Sequence, residues 1–286
     1  MPPSRSGRAR VGEVELEYET FGDPTRPSVL LVSGLGSQLL GWNEGLCGEI
    51  ASRGFHVIRF DNRDVGLSTQ MPPAAAYTLH EMAGDAAGLL AALGIPAAHI
   101  VGASMGGMIA QLVAIEHPAR TLSLTIVMSD LGAGDSVLAE REVLDRLLLP
   151  AAANREERIE QSVATTRITW GPSFDAARSR IRSAAAVDRA FFPEGVVRQF
   201  LAIMATGSRR EGLGRVKVPV LVIHGDGDPL IPFANAALLV DAAPGAELLV
   251  MDETGHDLPP SQWPKIADGI AALAAKLEPG VGVAER

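Results

Sequence analysis

Ser104 stands in IVGASMGGMIA, residues 100–110, between Gly102 and the Gly106–Gly107 pair, directly after one apolar run and directly before another. A strand, then Gly-Ala-Ser-Met-Gly, then a helix is the setting of the G-x-S-x-G turn that presents a nucleophilic serine. The glycines have a steric reason: so sharp a turn brings neighbouring backbones close enough that a Cβ would clash. The dipole of the following helix favours negative charge developing beside Ser104. A serine hydroxyl is a weak nucleophile at neutral pH, so it needs a general base, and the base needs an orienting acid.

The chain has six histidines. His256, in ETGHDLP, follows the last apolar run and so falls on a loop at a strand end, where a base belongs. His224 also ends a strand, but within VIHG it is expected to shape the turn. His56, His80, His99 and His117 flank strands or helices, where capping or surface roles suffice. The stretch HGDGDPLIP offers two acids, Asp226 and Asp228, immediately after an apolar strand. Either one gives the chain order serine, acid, histidine. An oxyanion hole needs two N–H donors. One is the backbone of Met105, the residue after the serine; the other is expected at Leu35, in the VSGLGS loop after an early strand.

Other residues divide between chemistry and structure. Gly34, Trp42, Phe191 and Phe192 are candidate substrate contacts, although large apolar residues also fill cores. Asp61, Arg63 and Asp64 read as a salt-bridged turn, and Cys47, the single cysteine, as a small buried hydrophobe. The scattered histidines lack metal-ligand spacing, and SMGGM lacks the lysine of a phosphate loop. No cofactor or metal is expected.

The elements that must hold this chemistry are legible as apolar runs, most of them ending in Gly, Asp or Ser: 29–34, 56–61, 99–104, 122–130, 220–225 and 247–256. Continuous rather than alternating hydrophobicity marks strands buried on both faces, as in a parallel sheet. Helical patterns at 78–94 and 105–118 separate them, the first opening with a Thr–Glu capping pair. EVELEYETFG alternates, which fits an antiparallel strand at the sheet edge. The fold class is therefore α/β, with helices on both faces of the sheet.

Between residues 132 and 215 the pattern is helical only, so 1–131 with 216–286 form the expected core and 132–215 a helical cap. Ligands of open α/β sheets bind beyond the carboxyl ends of the strands, where such a cap would cover them. The arginines of this segment alternate with acids and read as a solvated helix surface.

Composition excludes several classes. At 286 residues, 47% apolar and 21% charged, the chain reads as an ordinary globular protein. A net charge of −9 opposes nucleic-acid binding. No apolar run reaches membrane-helix length, and the basic N-terminal segment lacks the apolar core of a secretory signal. A cytoplasmic monomer or homodimer is expected.

Together these motifs resemble the α/β-hydrolase fold superfamily over nearly the whole chain. The resemblance implies a mostly parallel eight-stranded sheet flanked by helices. SGLG stands where the family has His-Gly-x-x, so Ser33 replaces a side chain that often supports the loop. DNRDVGLS resembles the family's Asp-x-Arg-Gly-x-Gly-x-Ser, with Asp64 in place of a glycine. HGDGDPLIP is similar to His-Gly-x-x-Asp-x-x-x-Pro, which selects Asp228, and TGHDLP to Gly-His, which selects His256. More narrowly, FGDP, GLGSQLLGW, FDNRDVGLST, VGASMGGMIAQ and GHDLP resemble the serine-esterase branch around aclacinomycin methylesterase. The expected activity is hydrolysis of a small to medium hydrophobic ester through an acyl-enzyme on Ser104. Carbon–carbon bond hydrolases, lactonases and cofactor-free perhydrolases share this machinery. A small-molecule receptor on the same scaffold is the reading from another class.

Overall fold

The computed structural model describes residues 3–147, 149–150 and 152–277. The first half runs β1 (Arg5–Val11), β2 (Val14–Phe21), β3 (Ser28–Val32), α1 (Glu44–Ser52), β4 (His56–Phe60), α2 (Leu79–Ala92), β5 (Ala98–Ala103), α3 (Met105–Glu116) and β6 (Thr121–Val127). Five helices follow: α4 (Arg141–Leu147), α5 (Arg155–Thr169), α6 (Ala176–Arg189), α7 (Pro193–Thr206) and α8 (Arg210–Leu213). The chain then runs β7 (Val220–Gly225), α9 (Ala234–Ala242), β8 (Glu247–Met251) and α10 (Trp263–Ala274).

Successive side chains on a strand point to opposite faces, and here both faces are covered. In β3, Leu30 and Val32 join a buried cluster with α2, α3 and α9. Val29 and Leu31 join the opposite cluster, with α1 and α10. The strands β3, β4, β5 and β7 are buried along their whole length, which is why their sequences are continuous apolar runs. α2 opens with the expected capping box, Thr78 and Glu81 each satisfying the other's backbone.

The eight strands lie in the order β1-β2-β4-β3-β5-β6-β7-β8, antiparallel from β1 to β4 and parallel from β4 to β8. The alternating strand β2 is therefore second from the edge rather than at it. Outside it lies β1, which holds Arg5, Arg8 and Arg10 of the basic N-terminal segment. Arginines along an outer strand are a normal protection against edge-to-edge pairing, and Arg8 pairs with Glu17 across the hairpin at 3.1 Å.

Parallel strands end at one edge. Val32 is the partner of Gly102, Ala103 of Val127, Val127 of Ile223, and Gly225 of Met251. The loops that follow β3, β5, β7 and β8 are thus brought side by side, and these carry Leu35, Ser104, Asp228 and His256. Among the described residues the segment between β6 and β7 holds helices only, and no helix is long and apolar enough to cross a membrane.

The arginines of that segment are only in part a solvated surface. Arg155 and Arg180 are half exposed. Arg178, Arg189, Arg198 and Arg209 instead turn inward onto Asp257, Asp61, Asp64 and Asp130.

Two histidines expected at the surface are buried. His56 faces Ser28, and His99 lies with Nδ1 2.8 Å from Ser123 Oγ and its ring edge-on to Phe55. Burial drives the His99 pKa down to about 4. Between the ordinary histidine value of about 6.5 and that value the unfolded chain binds a proton that the folded one refuses. Stability therefore falls as pH drops through this window, by about 3 kcal/mol at most. Urea denaturation from pH 7 to pH 4 should show this loss, and His99→Asn should flatten the slope.

Candidate active site

Ser104 closes β5 and caps α3 with φ 57° and ψ −125°. A side chain in that region costs of order 1–3 kcal/mol and persists only where its surroundings dictate it. Here they do. The Ser104 N–H donates to Val127 O at 2.9 Å, and its carbonyl accepts from Gly107 N at 2.8 Å and Ser129 Oγ at 2.8 Å. A Cβ on Gly106 would stand 2.1 Å from Val32 O, and one on Gly102 2.0 Å from Gly106 O, so strand and helix approach only because both are glycine. The Ser104 hydroxyl is not spent on capping α3.

The acid loop after β7 and the histidine loop after β8 meet at the same sheet edge. His256 Nδ1 lies 2.8 Å from Asp228 Oδ2. A carboxylate can only accept, so Nδ1 carries the proton and Nε2 presents a lone pair. The other oxygen, Oδ1, accepts from Leu230 N and Ile231 N, each at 2.9 Å, which fixes the carboxylate. The two acids the sequence left open are now separated: Asp226 Oδ1 accepts from Thr254 N and braces the loop. His224 Nε2 donates to Ile231 O at 2.8 Å, shaping the turn as expected. Burial lowers its pKa and keeps it neutral.

The backbone of His256 is anchored too, its N–H donating to Thr169 O at 2.8 Å. Among the described residues Ser104 Oγ makes no hydrogen bond, so the serine–histidine contact is not closed in this state. Such contacts are often long without substrate and tighten in the complex.

Gly34 lies against the serine, for a Cβ there would sit 3.1 Å from Ser104 Cβ. Among the described residues neither the Leu35 N–H nor the Met105 N–H donates a hydrogen bond, so both are available to a ligand. Ser33 does not replace the supporting side chain of the family pattern, since its Oγ is buried without a partner. The loop is held from elsewhere. Asn62 Nδ2 donates to Ser33 O at 3.0 Å, and Leu39 N donates to Asp61 Oδ1 at 2.7 Å. Gln199, fully buried on α7, accepts from Gly36 N at 2.9 Å through Oε1 and donates to Arg63 O at 2.8 Å through Nε2.

The Asp61–Asp64 turn is structural, as its sequence implied. Arg63 grips Asp85 with two bonds of 2.6 and 2.8 Å. Asp64 has φ 70°, which explains the glycine of the family pattern, and its carboxylate takes Arg198, Met71 N and Tyr77 OH.

The candidate substrate contacts fare unevenly. Trp42 is 1% exposed in the core on the α1 and α10 side, its carbonyl bonded to Arg59, so it does not line a pocket. The Phe191 ring lies under the Arg158 guanidinium at 3.6 Å. Phe192 lies under Arg198 at 5.2 Å, and a Cβ on Gly195 would stand 2.9 Å from its ring. Cys47 is buried, which pushes its thiol up to about 12.

A strained serine on an elbow, beside a carboxylate-held imidazole and two unspent N–H groups, defines a hydrolase of the α/β class. A family model described as alpha/beta hydrolase fold matches residues 27–260, and the chain belongs to that family. Rhodomycin D methylesterase DauP of Streptomyces sp. is 33% identical over 283 residues, spanning 91% of this chain and 95% of that protein. Rhodomycin D methylesterase DnrP of Streptomyces peucetius is 32% identical over 284 residues, with the same two coverages. The crystal structure of the enol-lactonase from Burkholderia xenovorans superposes with a TM-score of 0.77 at 24% identity, covering 94% of this chain and 100% of that one.

Gln199→Met removes both hydrogen bonds and leaves two shielded backbone groups unpaired, at about 1–3 kcal/mol each. Steady-state kinetics on an ester should show kcat falling at least tenfold while KM moves less than threefold. Gln199→Glu, which keeps the acceptor for Gly36 N–H, should recover part of kcat.

Proposed function

We propose that the protein is a serine esterase acting on a small to medium hydrophobic carboxylic ester, with Ser104, His256 and Asp228 as its triad. The observation that carries this reading is the 2.8 Å bond from Asp228 to His256 Nδ1, formed on the loops flanking a strained Ser104. His256 Nε2 removes the hydroxyl proton as Ser104 Oγ attacks the ester carbonyl, and the Leu35 and Met105 N–H groups hold the resulting oxyanion. The protonated imidazole then gives its proton to the departing alkoxide, leaving an acyl-serine and an alcohol. Water, deprotonated by His256, attacks the acyl-serine and releases the acid. Asp228 keeps the imidazole in the productive tautomer and stabilises its cation. No step requires a cofactor.

The segment 132–215 acts as a cap over this edge, with Gln199 and the inward arginines as its fastenings. Two rhodomycin D methylesterases among the relatives support an ester bond over the carbon–carbon alternative.

Hydrolysis of p-nitrophenyl esters from acetate to octanoate tests the assignment. Ser104→Ala should lose at least a thousandfold in kcat, and Asp228→Asn about ten-thousandfold, because the wrong tautomer is then favoured. Asp226→Asn should stay within a few-fold of the parent. Undiminished turnover by Ser104→Ala would sink the proposal.

A further inference from the structure

A cavity of about 170 Å³ lies between α5, α6 and the loop of residues 36–41. One wall begins just past Leu35, and another is Trp170, whose carbonyl packs against Gly255 beside the base. The space thus borders the loop that carries Leu35 and a residue packed against the His256 loop. Whole drug-sized pockets run to roughly 300–1,000 Å³, so this one fits part of a ligand.

Its lining is amphipathic. Trp170, Leu40 and Ala186 provide apolar surface, while hydroxyls line the α5–α6 seam. Those hydroxyls pair with each other across the seam, Thr166 with Ser179 at 2.5 Å and Ser162 with Ser183 at 2.8 Å. Arg182 is different. Among the described residues its guanidinium makes no hydrogen bond, and its only carboxylate neighbour within 4 Å is Asp257, at 3.7 Å. Asp257 is already engaged by Arg178 through two bonds of 3.0 and 2.5 Å. Two guanidinium groups share one carboxylate, so the cavity wall carries one positive charge in excess. A guanidinium offers a planar fork of donors that matches a carboxylate.

We propose that this cavity is a substrate subsite, in which Arg182 receives a carboxylate at the far end of an otherwise apolar ester. The inference rests on the esterase reading above. It narrows the substrate class to esters with an apolar stem and a terminal anionic group.

The test compares p-nitrophenyl half-esters of glutarate through suberate with the neutral p-nitrophenyl alkanoates of equal acyl length. At the length that spans the two sites, the wild-type protein should prefer the anionic ester by tenfold or more in kcat/KM. Arg182→Met should abolish that preference while leaving the neutral ester within about twofold, which also shows that the variant folds. Arg182→Lys should keep part of the preference. Wild-type turnover of neutral esters without a carboxylate preference at any length overturns the subsite alone. So does an equal loss on both ester types in Arg182→Met. Failure to hydrolyse any ester of either type overturns the esterase reading instead.

Discussion

One backbone conformation organises this molecule: Ser104 at φ 57° and ψ −125°. It is locally unfavourable, and the fold around it consists largely of what makes it tolerable. Glycines at 102 and 106 allow β5 and α3 to touch, β6 supplies the Val127 carbonyl for the serine N–H, and Ser129 caps the serine carbonyl. The parallel order from β4 to β8 then aligns the ends of the flanking strands with that point. Ser104 thus stands at the sheet edge from which the loops carrying Asp228 and His256 also emerge.

The second organising force is electrostatic. Asp61, Asp64 and Asp257 have fully buried side chains on edge loops, and each meets an arginine from the helical segment. Asp130, nearly as buried, meets Arg209 in the same way. Removing one member of such a pair strands a charge away from water, at roughly 3–5 kcal/mol, so the pairs fix where the helices dock more than they add net stability. The carboxylates of Asp61, Asp64 and Asp130 also accept backbone N–H groups, which spreads the constraint into the loops. Asp61 holds Leu39 N and Leu67 N while it receives Arg189.

Much of this was legible from the sequence. Runs such as VLLVSG and VLVIHG declare buried parallel strands because nothing polar interrupts them, and the serine elbow has a local signature. The acid required the resemblance to a family pattern, since Asp226 and Asp228 are equivalent by position alone. Other features had no local trace. Gln199 lies 163 residues from its partner Gly36, and on α7 it looks like any polar helix residue. The inward arginines share their composition with a solvated face, and only packing tells the two apart. Trp42 was ambiguous for the opposite reason, since a large ring fills a core and a pocket by the same physics. β1 was hidden by its arginines.

The loop that follows β3 draws its rigidity from the other half of the chain. Beyond Asp61 and Asn62, it is fastened by residues between 186 and 199, within the same helical segment that borders the cavity. Loop geometry and the lining of the cavity therefore rest on the same helices. Exchanging these helices for a foreign set would also remove the groups that hold the loop after β3.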